Sequence, residues 1–267
     1  MKCYLINLDR SPDRLAFFTQ QAASSGIVFD RMPAIDGAAL SPEELAASVG
    51  RRPVFQPVNP GEAALFLTHR KCWQAFMDSN APFAAIFEDD AVLAPRAGEI
   101  LARLQSLSPA VDVVKLETTL RGVVLTEKQL EITPPYGLHE LHSWHGGTAA
   151  YAISRAGAQK LLRQTLPISD PVDQVIFNPL SPVSEGLEIA QLVPAVAVQR
   201  DILDPGANDR FGSTIGRGKS RRGLFRHGPI ADLKRAWMKH RERRRRKRLA
   251  RLRGNRWMTV PFAGRKP

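Results

Sequence analysis

Short apolar runs alternate with amphipathic stretches along residues 1–200 of the chain. Each run is bounded by charged or turn residues, as is typical of a buried strand. The stretches between the runs repeat apolar residues every three or four positions, which favours helices with one buried face. This alternation predicts an α/β fold with a mostly parallel central sheet. The predicted strands cover residues 2–8, 27–29, 83–87, 111–116, 148–153 and 192–198.

Capping residues mark the starts of several predicted helices. Three times, a capping side chain precedes a proline at the first helical position. Glu44 also follows Ser41 by three residues, as in a capping box. The pairs are Ser11-Pro12, Ser41-Pro42 and Asn59-Pro60, and further helices are expected to begin near residues 95, 154 and 170.

The run Glu88-Asp89-Asp90 directly follows an apolar strand. Three adjacent carboxylates repel one another and are costly to bury. A hard divalent ion, Mn²⁺ or Mg²⁺, would neutralise them and bridge a diphosphate, because such ions prefer carboxylate oxygens. Alternate residues of an extended segment face the same side, so Glu88 and Asp90 are the expected metal ligands. A solvated acidic turn is the alternative interpretation.

The cysteine usage and the N-terminus bear on the compartment. Cys3 and Cys72 both lie in apolar contexts, which argues against a disulfide scaffold and favours a reducing environment. The N-terminus has no apolar segment of the signal-peptide type. No apolar run approaches the roughly 20 residues that a membrane-spanning helix needs. We therefore expect a cytoplasmic protein.

The net charge of +12 comes from the C-terminal part of the chain. Residues 1–216 carry 18 Lys or Arg and 24 Asp or Glu, whereas residues 217–256 carry 18 and 2. This asymmetry predicts a catalytic domain over 1–210 and a basic, Gly/Arg-rich linker and tail over 211–267, helical or disordered.

The basic tail has three candidate partners. It would be attracted to anionic lipid, with the apolar residues 257–262 inserted in the interface. It would also bind nucleic acid without sequence preference, or it is solvated and binds nothing. Residues 1–216 are net acidic and lack aromatic and basic interleaving, so specific nucleic-acid recognition is not expected.

Six stretches, taken in order, resemble glycosyltransferase family 25, which contains bacterial lipopolysaccharide galactosyltransferases and collagen galactosyltransferases. The resemblance implies a GT-A-like nucleotide-sugar-binding fold. It also implies transfer of a hexose with inversion, commonly from UDP-galactose, and a metal-binding role for the acidic run. The stretches are residues 4–14 (YLINLDRSPDR), 61–69 (GEAALFLTH) with Trp73, 86–90 (IFEDD), 112–116 (DVVKL), 147–151 (GTAAY) and 171–173 (PVD).

Several residues in these stretches are suited to hold a nucleotide-sugar donor. An asparagine can hydrogen-bond a base or ribose, arginine pairs with phosphate oxygens, and glycine lets the backbone approach a ligand. The alternatives are a solvated helix face for Arg14, an ion pair with Glu117 for Lys115, and a plain tight turn for the glycines. The donor-binding candidates are Asn7, Arg10, Arg14, Lys115, Gly147 and Thr148.

Inverting transfer requires a general base that takes the proton of the acceptor hydroxyl. Asp173, near a predicted helix start, is the first candidate, and Glu117 and Asp89 follow. A purely structural carboxylate is the alternative. The acceptor-pocket candidates are His69, Trp73 and His145, of which His145 is also a candidate metal ligand, with packing or structural hydrogen bonding as the alternative for each.

The sequence therefore predicts a metal-dependent, inverting glycosyltransferase. Its partners would be a nucleotide-sugar donor and a lipid-linked glycan acceptor, of lipopolysaccharide or another surface glycan, at the inner face of the plasma membrane. The alternative is a basic membrane- or nucleic-acid-binding protein with an inactive transferase-like domain.

Overall fold

The structure, a computed structural model, describes residues 1–50, 52–127, 130–204, 229–252 and 254–264. Within these residues the chain forms thirteen strands and nine helices. The strands are β1 (Lys2–Asn7), β2 (Asp30–Pro33), β3 (Phe83–Glu88), β4 (Ala91–Leu93), β5 (Val113–Lys115), β6 (Glu117–Thr118), β7 (Gly122–Thr126), β8 (Leu130–Thr133), β9 (Tyr136–Glu140), β10 (Ala150–Ser154), β11 (Ile189–Val193), β12 (Ala197–Gln199) and β13 (Asn255–Thr259). The helices are α1 (Pro12–Ser24), α2 (Pro42–Ser48), α3 (Pro60–Met77), α4 (Ala97–Leu107), α5 (Arg155–Gln164), α6 (Val172–Phe177), α7 (Pro182–Glu185), α8 (Arg200–Leu203) and α9 (Pro229–Leu249).

Eight of these strands form the central sheet, in the order β2-β1-β3-β10-β5-β11-β9-β8. Six run in one direction, and β10 and β9 run against them. Two smaller sheets, β4-β12-β6 and β13-β7, lie beside it. The predicted α/β class with a mostly parallel sheet is therefore confirmed.

Helices cover both faces of the central sheet, as the burial of a largely parallel sheet requires. One face packs against α1 and α4 through Phe18 and Ile100. The other packs against α3, α5 and α6 through Phe66, Leu161 and Ile176. This layered arrangement leaves the strand ends open for ligands.

The helix caps follow the predicted chemistry at two of the three proline-marked starts. The side chain of Ser41 accepts the backbone N–H of Glu44, whose carboxylate accepts the N–H of Ser41. Asn59 and Glu62 form the same reciprocal pair at the start of α3. Ser11 makes no capping bond with its side chain, although α1 begins at Pro12 as expected.

Three predicted strands differ from the observed ones. Residues 27–29 are not a strand, because the pairing of β2 with β1 begins only at Asp30. Of the predicted strand 111–116, only Val113–Lys115 forms a strand, β5, and the next strand, β6, begins at Glu117 in a different sheet. The run 192–198 is divided, since β11 pairs with β5 whereas β12 pairs with β4 and β6.

The last described residues complete the fold instead of forming a separate tail. β13 pairs antiparallel with all of β7, and Val260 and Phe262 are buried in the clusters on opposite faces of the sheet. The predicted tail boundary is therefore wrong for residues 254–264, and so is the insertion of Val260 and Phe262 in a membrane. The predicted linker, residues 211–228, lies outside the described residues. Among the described helices, none combines the length and apolarity needed to span a bilayer.

We expect Phe262→Ala to lower the free energy of unfolding by about 3 kcal/mol, because it removes a buried ring from the core. The exposed Arg256→Ala, on the adjoining strand, is the control and should change stability by less than about 0.5 kcal/mol. Urea denaturation of the full chain measures both. Equal stability of the two variants would mean that the C-terminal segment does not contribute to the core.

Candidate active site

The carboxyl ends of three strands meet at one edge of the central sheet. β1 ends at Asn7, β3 at Glu88 and β5 at Lys115. β10 lies between β3 and β5 in the opposite direction, so its amino end reaches the same edge. The loop of Gly146, Gly147 and Thr148, which precedes β10, is thereby placed beside the acidic run.

The three acids of the run point to different partners. Glu88 Oε1 accepts the hydroxyl of Thr148 at 2.5 Å and lies 3.5 Å from His69 Nε2. Asp89 accepts the amide of Asn7 at 2.7 Å and forms an ion pair with Arg14, also at 2.7 Å. The second and weaker contact of Arg14 is with Asp90 Oδ2, at 3.2 Å.

Asp90 retains an unsatisfied oxygen. Its Oδ1 is buried and accepts no hydrogen bond from the described residues. Burial and then the neighbouring charge of Glu88 together raise the pKa of this carboxyl to about 8. Burial also raises the pKa of Asp89. Arg14 is therefore not sufficient to keep all three carboxyls of the run ionised, and their full ionisation would require further positive charge.

The acidic run is where the sequence predicts a divalent ion. No group of three or more His, Cys, Asp or Glu side chains is arranged around a common metal position within the described residues. Mg²⁺-type sites, however, often take only one or two carboxylates, with phosphates and water as the other ligands. Glu88 and Asp90, with the unsatisfied Oδ1, match that incomplete set.

A buried ion pair holds the loop before β10. Lys115 Nζ donates to Glu117 Oε1 at 2.9 Å and to the carbonyl of Gly147 at 2.6 Å. Glu117 Oε1 also accepts the backbone N–H of Ala149 at 2.9 Å. Both charged side chains are 0% exposed. For Lys115, the ion pair with Glu117 is therefore the observed interaction.

Gly147 is required by its conformation and its surroundings. Its φ is +86°, and a Cβ at this position would lie 2.9 Å from Glu117 Oε2. Its N–H donates to Asp173 Oδ2 at 3.2 Å, and the N–H of Gln174 donates to Asp173 Oδ1 at 2.8 Å. Asp173 is half-buried, and burial raises its pKa. Among the three base candidates, Asp173 is the one that is both partly accessible to solvent and in contact with the loop.

His69 and Trp73 form a buried chain that leads to Glu88. Trp73 Nε1 donates to the hydroxyl oxygen of Tyr151 at 2.8 Å, and that hydroxyl lies 3.0 Å from His69 Nδ1. If the Tyr151 hydroxyl donates to Nδ1, His69 carries its proton on Nε2, which faces Glu88. Both His69 and Trp73 are 0% exposed, so neither forms an accessible acceptor wall.

His145 also differs from its predicted role. Its Nδ1 contacts Gln191 Oε1 at 2.8 Å, and its Nε2 accepts the N–H of Thr119 at 3.1 Å. Burial, and then the charge of Lys115, lower its pKa to about 3. With both ring nitrogens engaged, this neutral histidine is a structural residue and not a metal ligand.

The predicted donor residues of the N-terminal strand are engaged within the protein. The amide of Asn7 donates to Asp89 and to the carbonyl of Ser11, and its oxygen accepts Arg31 Nε at 2.9 Å. Arg10 is exposed and pairs with Asp36. In this conformation neither Asn7 nor Arg10 points a free polar group at the loop.

A scan against protein-family models finds the family described as "Glycosyltransferase family 25 (LPS biosynthesis protein)" over residues 1–176. The chain belongs to glycosyltransferase family 25. It is 30% identical to the lacto-N-neotetraose biosynthesis glycosyltransferase LgtB of Neisseria gonorrhoeae over 212 residues, 74% of each protein. It is 33% identical to the lipooligosaccharide biosynthesis protein lex-1 of Haemophilus influenzae over 151 residues, 52% of this chain and 49% of that protein.

Among solved structures, this family 25 glycosyltransferase is similar to a glycosyltransferase involved in the glycosylation of the major capsid of PBCV-1. The TM-score is 0.41 and the sequence identity is 11%. The similarity covers 74% of this chain and 93% of that chain.

Sequence reasoning did not single out Trp144, which borders the glycine loop. Trp144 lies against Gly146, and its Nε1 is buried without a hydrogen-bond partner in the described residues. A Cβ at Gly146 would lie 3.1 Å from the Trp144 ring and 3.3 Å from Asp173 Oδ2. The only signal in the sequence was an aromatic residue two positions before the glycine pair, in a region without a recognisable motif.

We expect Gly147→Ala to lower the free energy of unfolding by about 3 kcal/mol, from the left-handed backbone and the contact with the buried carboxylate of Glu117. Gly26→Ala is a matched control, since Gly26 has φ +67° and open space around it. Gly26→Ala should lower the free energy of unfolding by about 1 kcal/mol, because only its left-handed backbone is unfavourable for alanine. Equal losses in thermal or urea denaturation would contradict the close contact at Gly147.

The stability of the Glu117 site should depend on pH. Burial raises the pKa of Glu117 from 4.5 to about 7, so the folded chain binds this proton more tightly than the unfolded chain. The resulting stabilisation is complete below pH 4.5 and is lost as the pH rises to about 7. We compare the free energy of unfolding of wild type with that of Glu117→Gln. The difference, wild type minus variant, should fall by about 3 kcal/mol as the pH rises over this interval.

Urea denaturation at several pH values tests this expectation. The exposed Glu127→Gln is the control for the loss of one carboxyl charge. A constant difference for Glu117→Gln would show that the buried carboxyl does not titrate in this range.

Proposed function

We propose that this family 25 glycosyltransferase moves a hexose, galactose from UDP-galactose, to a lipopolysaccharide or other surface-glycan acceptor with inversion at the anomeric carbon. The observation that carries the proposal is the loop of Gly146, Gly147 and Thr148. Hydrogen bonds tie it to Glu88, to Lys115 and to Asp173. One relative is named a lacto-N-neotetraose biosynthesis glycosyltransferase and another a lipooligosaccharide biosynthesis protein, and these names support the acceptor class.

The acidic run is proposed to hold Mn²⁺ or Mg²⁺ through Glu88 and Asp90. Bound there, the ion would neutralise charge that develops on the diphosphate of the leaving nucleotide. Glu88 is oriented for this by Thr148 and His69. Arg14 holds Asp89 and approaches Asp90, which keeps the carboxylates of the run apart.

Asp173 is proposed as the general base. Its carboxylate takes the proton of the acceptor hydroxyl while the hydroxyl oxygen forms a bond to the anomeric carbon of the donor. The bond from that carbon to the diphosphate oxygen breaks, and its electron pair leaves with UDP. Because burial raises the pKa of Asp173, its carboxylate is a stronger base than an exposed aspartate.

The two other base candidates are better suited to positioning. Glu117 is fully buried and paired with Lys115, and Asp89 is held by Asn7 and Arg14. Lys115 and Glu117 together fix the backbone from Gly147 to Ala149, which sets the distance between Asp173 and the acidic run.

Peripheral attachment to an anionic membrane is a further part of the proposal. Helix α9 presents exposed basic side chains, among them Arg243 and Lys247, and each such residue near an anionic surface contributes about 1 kcal/mol of attraction. The competing reading of an inactive, basic binding protein is not favoured, because the chain belongs to an enzyme family.

The proposal is tested by separating donor binding from transfer. Asp173→Asn should leave the affinity for UDP-galactose with Mn²⁺ within about twofold, while transfer to a lipooligosaccharide acceptor falls about 100-fold or more.

Asp90→Asn should weaken Mn²⁺ binding in the presence of UDP by about tenfold or more, measured by calorimetry. Asp13→Asn, an exposed aspartate of α1, is the control for both. Unchanged Mn²⁺ binding in Asp90→Asn would exclude the metal role, and full transfer activity of Asp173→Asn would exclude the base.

A further inference from the structure

One face of α9 lines a groove on the catalytic domain. Arg241, Arg244, Arg245 and Arg248 recur at helical spacing and therefore share a face. The opposite wall comes from β9, α7 and the start of β11, with Glu140, Glu185 and Glu188 among its residues. We call this space, about 670 Å³ in volume, the α9 groove.

The groove is built by specific docking of α9. Glu242 is 7% exposed, and its Oε1 accepts the backbone N–H of Trp144 at 3.4 Å. Arg245 donates to the carbonyl of His142. These contacts attach the helix to the segment that leads into the catalytic loop. Gly147 is five residues beyond His142, which is at most about 18 Å of chain.

The lining of the groove suits a ligand with both hydroxyl and phosphate groups. Arg244 and Arg248 are exposed, and neither forms an ion pair with another residue of the described ranges. Planar guanidinium groups bind phosphate oxygens in a two-pronged geometry. Glu185 and Glu188 on the facing wall can accept sugar hydroxyls. The volume lies within the roughly 300–1,000 Å³ of small-ligand sites.

We propose that the α9 groove binds a phosphate-bearing oligosaccharide segment of the acceptor. The inference rests on the proposed transferase function and deepens it, since it gives the basic helix a role in acceptor choice. The concave shape and the facing carboxylates favour a glycan over a flat anionic bilayer. They also disfavour a nucleic-acid backbone, because its phosphate at every nucleotide would place more negative charge against Glu185 and Glu188 than a glycan, whose hydroxyls these carboxylates can accept.

The chain offers a matched pair of variants for the test. Arg244→Ala with Arg248→Ala removes two charges that line the groove. Arg243→Ala with Lys247→Ala removes two exposed charges at the same spacing on the same helix, outside the groove lining. The probe is the oligosaccharide released from lipooligosaccharide by mild acid, before and after phosphatase treatment.

Wild type and the Arg243/Lys247 variant should bind the phosphorylated probe about tenfold more tightly than the dephosphorylated one, as one charge-assisted contact implies. The Arg244/Arg248 variant should lose this preference. Calorimetric binding of the probe does not require turnover, whereas UDP release from UDP-galactose reports the transferase site. If the proposed function is wrong, UDP release will show it. If the α9 groove does not bind the glycan, calorimetry with the probe will show it.

Two other outcomes would overturn the inference. Equal loss of affinity in both double variants would indicate general attraction by the basic helix. Binding to phosphatidylglycerol vesicles that depends on Arg244 and Arg248, without any preference for the phosphorylated probe, would assign this face to the membrane.

Discussion

The buried ion pair of Lys115 and Glu117 determines the shape of the active-site edge. Two opposite charges removed from water are tolerated only when further hydrogen bonds satisfy them, and here these come from the backbone of the loop before β10. The pair thus imposes the path of Gly147 through Ala149. That path excludes a side chain at Gly147 and brings the loop within reach of Asp173.

The acidic run depends on this frame. Because Thr148 follows the fixed glycine, its hydroxyl meets Glu88 on the neighbouring strand. The buried chain of Trp73, Tyr151 and His69 approaches the same carboxylate from below the sheet. Asp90 keeps one unsatisfied oxygen at the edge of this network. The run is therefore rigidly supported on one side and has an unsatisfied carboxylate oxygen on the other, and the diphosphate of a bound donor would use both features.

The sequence predicts the parts of the fold that depend on local chemistry. Proline-marked caps and apolar runs locate α1, α2, α3 and β3, and motif resemblance identifies the loop of Gly147 and Thr148. What it misses depends on contacts between distant segments. Strands β7 and β9 form because β13 and β11 pair with them, and Asn7 is a structural residue only because Arg31 and Asp89 surround it. Periodicity within one segment carries no information about such partners.

The pairing of β13 with β7 has a consequence for biosynthesis. The ribosome synthesises residues 1–200 before the segment that contains β13. Until that segment is made, the nascent chain exposes the apolar surface that Val260 and Phe262 later cover. Chains that terminate before β13 would keep this apolar surface exposed and would be preferred substrates of chaperones and proteases.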